Sequence, residues 1–146
     1  ILITEPFILR TSKRWEEALA ANALARDASG QPKTFDFYFG HGGLVDMFDP
    51  AAAAWFWSKN EVLLDQGIEG IWGDLGEPEM HPSDIVHAPG WSADEVHNAY
   101  GHQWARIMAE KWSRERPGQR PFLMMRSGFA GTQRYGIIPW SGDVAK

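Results

Sequence analysis

The chain has 146 residues, of which 44% are apolar, and a formal net charge of −5. A domain of this length buries about 70% of the surface that its unfolded chain exposes, so the composition allows a substantial core. Acidic and basic residues are mixed along the sequence, and no run of Lys or Arg forms the basic stripe that a phosphate backbone requires. The sequence therefore predicts no nucleic-acid partner.

The chain contains neither Cys nor a long apolar stretch. The absence of Cys excludes disulfides, thiolate catalysis and Cys-based metal sites, but it leaves the compartment open. Apolar runs such as residues 51–57 are much shorter than the roughly 20 residues that cross a bilayer, so no membrane span is predicted. Because the sequence starts at Ile1 and has no stop signal after Asp143, we expect it to be a segment of a longer chain.

The first third of the chain predicts two strands and one helix. The aliphatic run at residues 1–3 indicates a buried strand that ends before Pro6. Residues 15–26 favour a helix. Aromatic residues alternate over residues 35–39, which is typical of a strand, and the Gly-His-Gly-Gly tract at 40–43 predicts a loop.

Two further helices have clear start signals. An Asp-Pro pair at residues 49–50 supplies a cap and a suitable first helical residue, and Gly67 is suited to the closing turn. These signals predict a helix over residues 49–66. The sequence Ser-Ala-Asp-Glu at 92–95 is a capping box, and apolar residues then recur at helical spacing up to the Pro-Gly pair at 117–118.

Three aliphatic runs, at residues 67–75, 121–125 and 136–140, predict fully buried parallel strands. The order of strand, helix, strand, helix, strand and strand predicts an α/β fold. Barrels and doubly wound sheets place their chemistry just after such strands. The polar residues found there are Glu5, Asp74, Glu77, Arg126 and Asp143.

Two of these acids follow a Trp. Asp74 lies in Gly-Ile-Trp-Gly-Asp-Leu-Gly-Glu-Pro-Glu at residues 70–79, and Asp143 ends Ile-Ile-Pro-Trp-Ser-Gly-Asp at 137–143. Breaking a glycosidic bond needs one carboxylate that attacks or stabilises the anomeric carbon and one carboxylic acid that protonates the leaving oxygen. A lone Asp after a strand is more often a loop or cap residue, by roughly three to one.

Residues 70–77 resemble the nucleophile signature of glycoside hydrolase family 31, the retaining α-glucosidases and their relatives. Leu75 and Gly76 stand where that signature usually has Met and Asn. Residues 126–135 are similar to the family segment that leads to a Trp and the acid/base Asp, and residues 3–7 and 44–50 are similar to the chain before the nucleophile strand. The two matched catalytic motifs outweigh the loop interpretation of the acids.

The resemblance implies a (β/α)8 TIM barrel, of which residues 1–146 would supply about half, as the central part of the catalytic domain. It also implies that no cofactor is needed and that the reaction is a double displacement with retention. By the same resemblance Asp74 is the nucleophile, Asp143 the acid/base and Arg126 a sugar-binding residue. Two tryptophans and one acid complete the expected site: Trp72, Trp140 and Glu77, the last orienting Asp74 or Arg126.

The substrate stays open at this point. The sequence Gly-Asp-Leu-Gly-Glu-Pro-Glu followed by His-Pro at residues 81–82 is most similar to the oligosaccharide 4-α-glucosyltransferases of the family. We therefore expect an α-glucan oligosaccharide donor with a sugar acceptor, or water, as partners. A hydrolytic α-glucosidase, an α-xylosidase or α-galactosidase, and a non-catalytic carbohydrate-binding protein are the alternatives.

Other residue patterns favour structural roles. His81, His87, His97 and His102 lack the i, i+4 spacing of a helical zinc pair, so no metal site is predicted. The glycines match no nucleotide-binding motif. Glu77 and Glu79 are alternative catalytic acids, but Pro78 between them favours loop positions. Four tryptophans at helical positions are predicted to be core residues: Trp55, Trp57, Trp104 and Trp112.

Overall fold

The computed structural model describes residues 1–144. Its strands are β1 (Leu2–Thr4), β2 (Phe7–Leu9), β3 (Arg26–Asp27), β4 (Phe35–Phe37), β5 (Gly40–Leu44), β6 (Gly70–Gly73), β7 (Ile85–His87), β8 (Trp91–Ser92), β9 (Phe122–Met125) and β10 (Ile138–Pro139). Its helices are α1 (Trp15–Ala20), α2 (Pro50–Leu64) and α3 (Ala93–Glu115), with a 3-10 helix at Thr132–Tyr135.

A parallel sheet of four strands, in the order β1, β6, β9 and β10, is the centre of the fold. Helix α2 precedes β6 and helix α3 precedes β9, so each crossover returns the chain to the same end of the sheet. All four strands therefore have their carboxyl ends at one edge. The parallel arrangement that the aliphatic runs predicted is confirmed.

Two small antiparallel sheets extend from this edge. The first has the order β2, β5 and β4 and follows directly after β1. The second, with the order β3, β7 and β8, is formed partly by the excursion between β6 and α3. Both sheets are formed by segments that follow the carboxyl ends of parallel strands, β1 and β6. They therefore lie on the side of the fold that carries the predicted site residues.

The prediction of a loop at residues 40–43 is wrong, because these glycines form part of strand β5. A side chain at Gly42 would collide with the carbonyl oxygen of Ile8 and would lie 3.1 Å from the Cα atom of Leu9. Glycine is needed here because the backbone of β2 lies so close. This reason is a long-range contact, which the local sequence does not reveal.

The predicted helix at residues 15–26 is also too long. Helix α1 ends at Ala20, Asn22 has a positive φ of 52°, and Arg26 already pairs with Val86 of strand β7. A residue with positive φ cannot continue a right-handed helix.

The outer strands of the parallel sheet are less buried than predicted. Ile3 of β1 is 46% exposed and Ile138 of β10 is 43% exposed, whereas Ile71 and Leu123 of the inner strands are almost completely buried. An outer strand has a neighbour on one side only. The prediction of burial therefore fails for β1 and β10, and in the inner strands it holds for Ile71 and Leu123 but not for Phe122, which is 37% exposed.

The long helices begin and end as their sequence signals predict. The Asp49 carboxylate caps α2 by accepting a hydrogen bond from the Ala51 N–H at 2.7 Å, and Gly67 has a φ of +97° after its end. The capping box of Ser92 and Glu95 is present at the start of α3. These caps satisfy backbone N–H groups that have no partner inside a helix.

The core lies where α2 and α3 pack against the parallel sheet. Trp57, Trp104 and Trp112 are at most 2% exposed, as predicted, and Trp55 is half-buried. The Trp104 ring lies so close to strand β6 that an added Cβ at Gly73 would be 3.0 Å away from it. Within residues 1–144 no helix has the length and hydrophobicity that crossing a membrane requires.

Candidate active site

Asp74 is placed by the end of strand β6. Its backbone N–H donates to the Thr4 carbonyl at 3.0 Å, and its Oδ1 accepts from the Leu75 N–H at 2.8 Å. Two residues after Asp74, Gly76 lies so close to helix α3 that an added Cβ would be 2.5 Å from Trp104 Cζ3. This tight turn holds the Asp74 side chain, which is 17% exposed, at the carboxyl edge.

Arg126 lies beside Asp74, directly after strand β9. Its Nη1 is 3.4 Å from Asp74 Oδ1, while its Nε and Nη2 donate to the Glu77 carboxylate at 2.5 and 3.1 Å. The hydrogen bonds to Glu77, together with the charges of Glu77, Asp74 and Glu79, raise the pKa of Arg126. The paired fork fixes the plane of the guanidinium, which therefore presents a permanent positive charge to Asp74.

Trp72 and Trp140 form an aromatic pair next to these charges. Their ring centroids are 5.2 Å apart with an interplanar angle of 80°. Gly73 faces helix α3, and side chains alternate along a strand, so Trp72 and Asp74 lie on the opposite face together. The Trp72 indole N–H is buried and has no hydrogen-bond partner among the described residues. The sheet face thus combines a carboxylate, an aromatic wall and a buried indole N–H.

Asp143 lies in the segment that follows strand β10, and its side chain is exposed. The preceding residue, Gly142, has a φ of +83°, and an added Cβ there would lie 2.9 Å from Arg126 Cδ. The backbone that carries Asp143 is therefore packed on the arginine that contacts Asp74. The structure brings five of the predicted site residues into one region and places the sixth on this adjoining segment: Asp74, Glu77, Arg126, Trp72, Trp140 and Asp143.

A cavity opens beside this region. Its lining includes Arg126 and Trp140 together with Phe129, Thr132 and Ile137. Mixed aromatic, aliphatic and cationic walls of this kind suit a ligand that has both hydroxyl groups and apolar C–H faces.

Glu5 belongs to the site, although the sequence identified it only as a polar residue after a strand. Burial raises its pKa, and the negative charge of Asp74 raises it further. The signal that could have found it is its place after β1, because neighbouring parallel strands end at the same edge. Glu5 therefore lies near Asp74, whereas the acids that act on Arg126 are Glu77, Asp74 and Glu79.

The histidines make hydrogen bonds rather than a recognisable metal centre. His81 contacts both His87 and His97, at 2.8 and 3.1 Å between ring nitrogens, and His102 contacts Thr132 at 2.8 Å. Within residues 1–144 no three His, Cys, Asp or Glu side chains have an arrangement that could hold a metal ion.

The fold and the site together define an α/β segment that carries acids and tryptophans at the carboxyl ends of parallel strands, the edge where barrel proteins place their chemistry. The family model of the glycosyl hydrolases family 31 TIM-barrel domain matches residues 1–146. The chain belongs to glycoside hydrolase family 31. The predicted fold class is thereby confirmed: the chain is an α/β segment of a (β/α)8 barrel.

Relatives within the family have several substrates. The chain is 33% identical to the sulfoquinovosidase of Escherichia coli strain K12, over 94% of this chain and 20% of that protein. It is 28% identical to α-glucosidase 2 of Bacillus thermoamyloliquefaciens, over 88% of this chain and 17% of that protein. The chain thus spans about a fifth of the length of the curated relatives that it matches.

A solved structure shows the same architecture. The family 31 dextranase of Flavobacterium johnsoniae, complexed with glucose, superimposes with a TM-score of 0.90 and 32% sequence identity. The match covers 100% of this chain and 19% of the dextranase chain.

Proposed function

We propose that the chain is the central part of the catalytic barrel of a retaining α-glucosidase. The observation that carries this proposal is the position of Arg126, which contacts Asp74 and Glu77 and packs against the backbone of Gly142, next to Asp143. Double displacement requires two carboxyl groups that flank the scissile bond, and Arg126 lies between the segments that carry Asp74 and Asp143.

In the proposed reaction Asp74 attacks the anomeric carbon while Asp143 protonates the glycosidic oxygen. The leaving sugar departs, and a covalent glycosyl-enzyme remains on Asp74. Asp143, now a carboxylate, takes a proton from the incoming hydroxyl, and the second displacement restores both acids and the original anomeric configuration. Retaining enzymes of this type hold their two carboxyl groups about 5–5.5 Å apart.

The other site residues have supporting roles in this proposal. Arg126 keeps N–H donors that Glu77 does not occupy, and these can bind a sugar hydroxyl. Trp72 and Trp140 provide an apolar wall for the C–H face of the sugar. No step of the mechanism requires a cofactor.

We further propose that the remaining barrel strands come from parts of a longer protein. The four parallel strands make about half of an eight-stranded barrel, and the curated relatives are about five times as long as the matched region. The experiments below therefore use the full-length protein.

Hydrolysis of an α-glucoside is the reaction that the names of the relatives support, since these are an α-glucosidase, a sulfoquinovosidase and a dextranase. Transfer of a glucosyl unit to the 4-hydroxyl of a second α-glucan is the second candidate. It is favoured by the sequence of residues 73–82, which resembles the 4-α-glucosyltransferases. An α-xyloside is a third possible donor. Comparing the rates on an aryl α-xyloside and an aryl α-glucoside distinguishes these two donors.

The test is product analysis with maltotriose and with aryl α-glucoside and α-xyloside. Glucose as the only new short product indicates hydrolysis, and longer oligosaccharides indicate transfer. Asp74→Asn and Asp143→Asn should each abolish the maltotriose reaction, whereas Asp94→Asn, in the exposed first turn of α3, should not. Undiminished turnover in either site variant would refute the role of that residue, and a wild-type enzyme inactive on all α-glycosides would refute the proposal.

A further inference from the structure

Three histidines connect the protein surface to a buried carboxylate. His97 Nδ1 lies 3.1 Å from His81 Nδ1, His81 Nε2 lies 2.8 Å from His87 Nε2, and His87 Nδ1 lies 2.8 Å from Asp46 Oδ1. His97 is exposed, whereas His87 is 1% exposed. We call these four residues the histidine chain. They join three parts of the molecule: helix α3, the β6–β7 connection with strand β7, and the loop before α2.

The protons of the histidine chain have a defined order. A carboxylate can only accept, so His87 donates from Nδ1 to Asp46 and its Nε2 is left as an acceptor. His81 therefore donates from Nε2 to His87, and its Nδ1 accepts the proton of His97 Nδ1. This order satisfies all three hydrogen bonds while every imidazole is neutral.

Asp46 is firmly held at the buried end. Besides the bond from His87, it accepts hydrogen bonds from the backbone N–H groups of Phe48, at 3.1 Å, and Ala88, at 2.9 Å. Its side chain is 9% exposed. Because the carboxylate is anchored by the backbone on two sides, it is a fixed point to which His87 and then His81 are attached.

His81 belongs to the same loop as Glu77. Residues 74–84, all of which the structure describes, contain no strand or helix. At one end of this loop Glu77 pairs with Arg126, and four residues later His81 enters the histidine chain. The two attachments together define where the Glu77 carboxylate lies.

We propose that His81 is a positioning residue, which fixes the loop of Glu77 to Asp46 through His87 and thereby holds Arg126 beside Asp74. The effect of this attachment on catalysis rests on the proposed function. The attachment of the loop itself is independent of that function, because it depends only on the hydrogen bonds described above.

The attachment should weaken in acid. The titratable groups that face His81 are His87 from β7, His97 and Tyr100 from α3, and Asp46 from the loop before α2. Burial, followed by the neighbouring imidazoles of His87 and His97, lowers the pKa of His81 to about 3, and Asp46 acts in the opposite direction. Between pH 6.5 and about 3, His81 therefore binds less proton in the native chain than in the unfolded chain, and its contribution to stability falls as the pH falls through this range.

Hydrogen exchange of full-length protein tests the attachment directly. In His81→Phe, and in His81→Gln as a second variant, amides of residues 75–84 should exchange at least about tenfold faster than in wild type. The matched control is His41→Gln, because His41 also contacts a carboxylate, Asp36 at 2.8 Å, but on an exposed hairpin. Unchanged exchange in this loop in both His81 variants would overturn the proposal, whatever their activity.

Kinetics and pH dependence test the positioning role. His81→Phe should lower kcat/KM about tenfold, and combining it with Glu77→Gln should cost little more than Glu77→Gln alone, because both changes release the same arginine. The fall in Tm between pH 6.5 and 4.5 should be smaller in His81→Phe than in wild type. Fully additive losses, or an unchanged fall in Tm, would contradict the role. If wild type has no α-glycosidase activity, the proposed function fails and hydrogen exchange still decides the attachment.

Discussion

Gly142 lies against the side chain of Arg126, so closely that a Cβ atom on Gly142 would be 2.9 Å from Arg126 Cδ. This contact joins the segment of the proposed acid/base, Asp143, to the residue that contacts the proposed nucleophile, Asp74. The relative position of the two acids therefore depends on a residue that has no side chain.

Gly142→Ala is predicted to lower kcat/KM about tenfold or more. The alanine must adopt a left-handed conformation, which costs about 1–2 kcal/mol, and its methyl group displaces Arg126 or the Asp143 segment. Steady-state kinetics on an aryl α-glucoside measure the loss. Gly136→Ala is the matched control, because Gly136 also has a positive φ, of 67°, but has open space around it. Equal losses in both variants would mean that backbone strain alone is responsible.

Glu77→Gln is predicted to lower kcat/KM about 10- to 100-fold. It keeps at most one of the two hydrogen bonds from Arg126, because the amide NH2 of glutamine cannot accept, and each charge-assisted bond contributes about 1.5–3 kcal/mol. The freed guanidinium should move towards Asp74 or into the cavity. Glu79→Gln, which removes a nearby charge that has only a Coulombic effect on Arg126, should change kcat/KM less than about threefold. Similar losses in the two variants would argue against a positioning role for Glu77.

Glu5→Gln is predicted to stabilise the protein increasingly as the pH rises. The pKa of Glu5 is raised by burial and by Asp74, so its contribution to stability is present below its ordinary pKa and is lost as the pH rises through the folded value. Glutamine cannot ionise and avoids this loss. The difference in Tm between variant and wild type should therefore grow from pH 4 to pH 7. It should stay constant for the exposed control Glu16→Gln, and a constant difference for Glu5→Gln would contradict the account.

Gly101→Ala is predicted to destabilise the protein by about 1–2 kcal/mol. Alanine in a helix is favoured over glycine by about 1 kcal/mol, but crowding a packed interior costs about 1–3 kcal/mol. Here a Cβ would lie 2.6 Å from Ser127 Cβ and 2.8 Å from the Gly76 carbonyl oxygen. Denaturant unfolding measures the change, and adding Ser127→Gly should recover part of it. A Gly101→Ala variant more stable than wild type would show that helix α3 is not tightly packed on the loops that contain Gly76 and Ser127.

Local signals predicted much of this fold. The caps at Asp49 and Ser92 depend on neighbouring residues only, and both helices begin where these signals predict. The aliphatic runs predicted the inner parallel strands, and the position of Asp74 followed from the end of β6. These features can be predicted because the residues that determine them are close neighbours in the sequence.

Features that depend on distant residues could not be predicted. Gly42 is required by the backbone of β2, which lies more than thirty positions earlier. Glu77 was expected to orient Asp74 or Arg126, but its paired hydrogen bonds with Arg126, 49 positions later, depend on tertiary packing, as does the contact of His81 with His97 across 16 positions. A search for i, i+4 histidine pairs on one helix could not reveal the histidine chain, because tertiary packing brings its members together.

Labelling of the full-length enzyme with 5-fluoro-α-glucosyl fluoride tests the central claim most directly. The fluorine at C5 destabilises the oxocarbenium-like transition states of both displacements, but the first also breaks the C1–F bond and releases fluoride, a good leaving group. The glycosyl-enzyme therefore forms faster than it is hydrolysed, and peptide mapping can locate it. The account predicts one glycosyl group on Asp74, absent in Asp74→Asn and retained in Glu77→Gln. A glycosyl group on Glu5, Glu77 or Glu79 instead would contradict the assignment of Asp74 as the nucleophile.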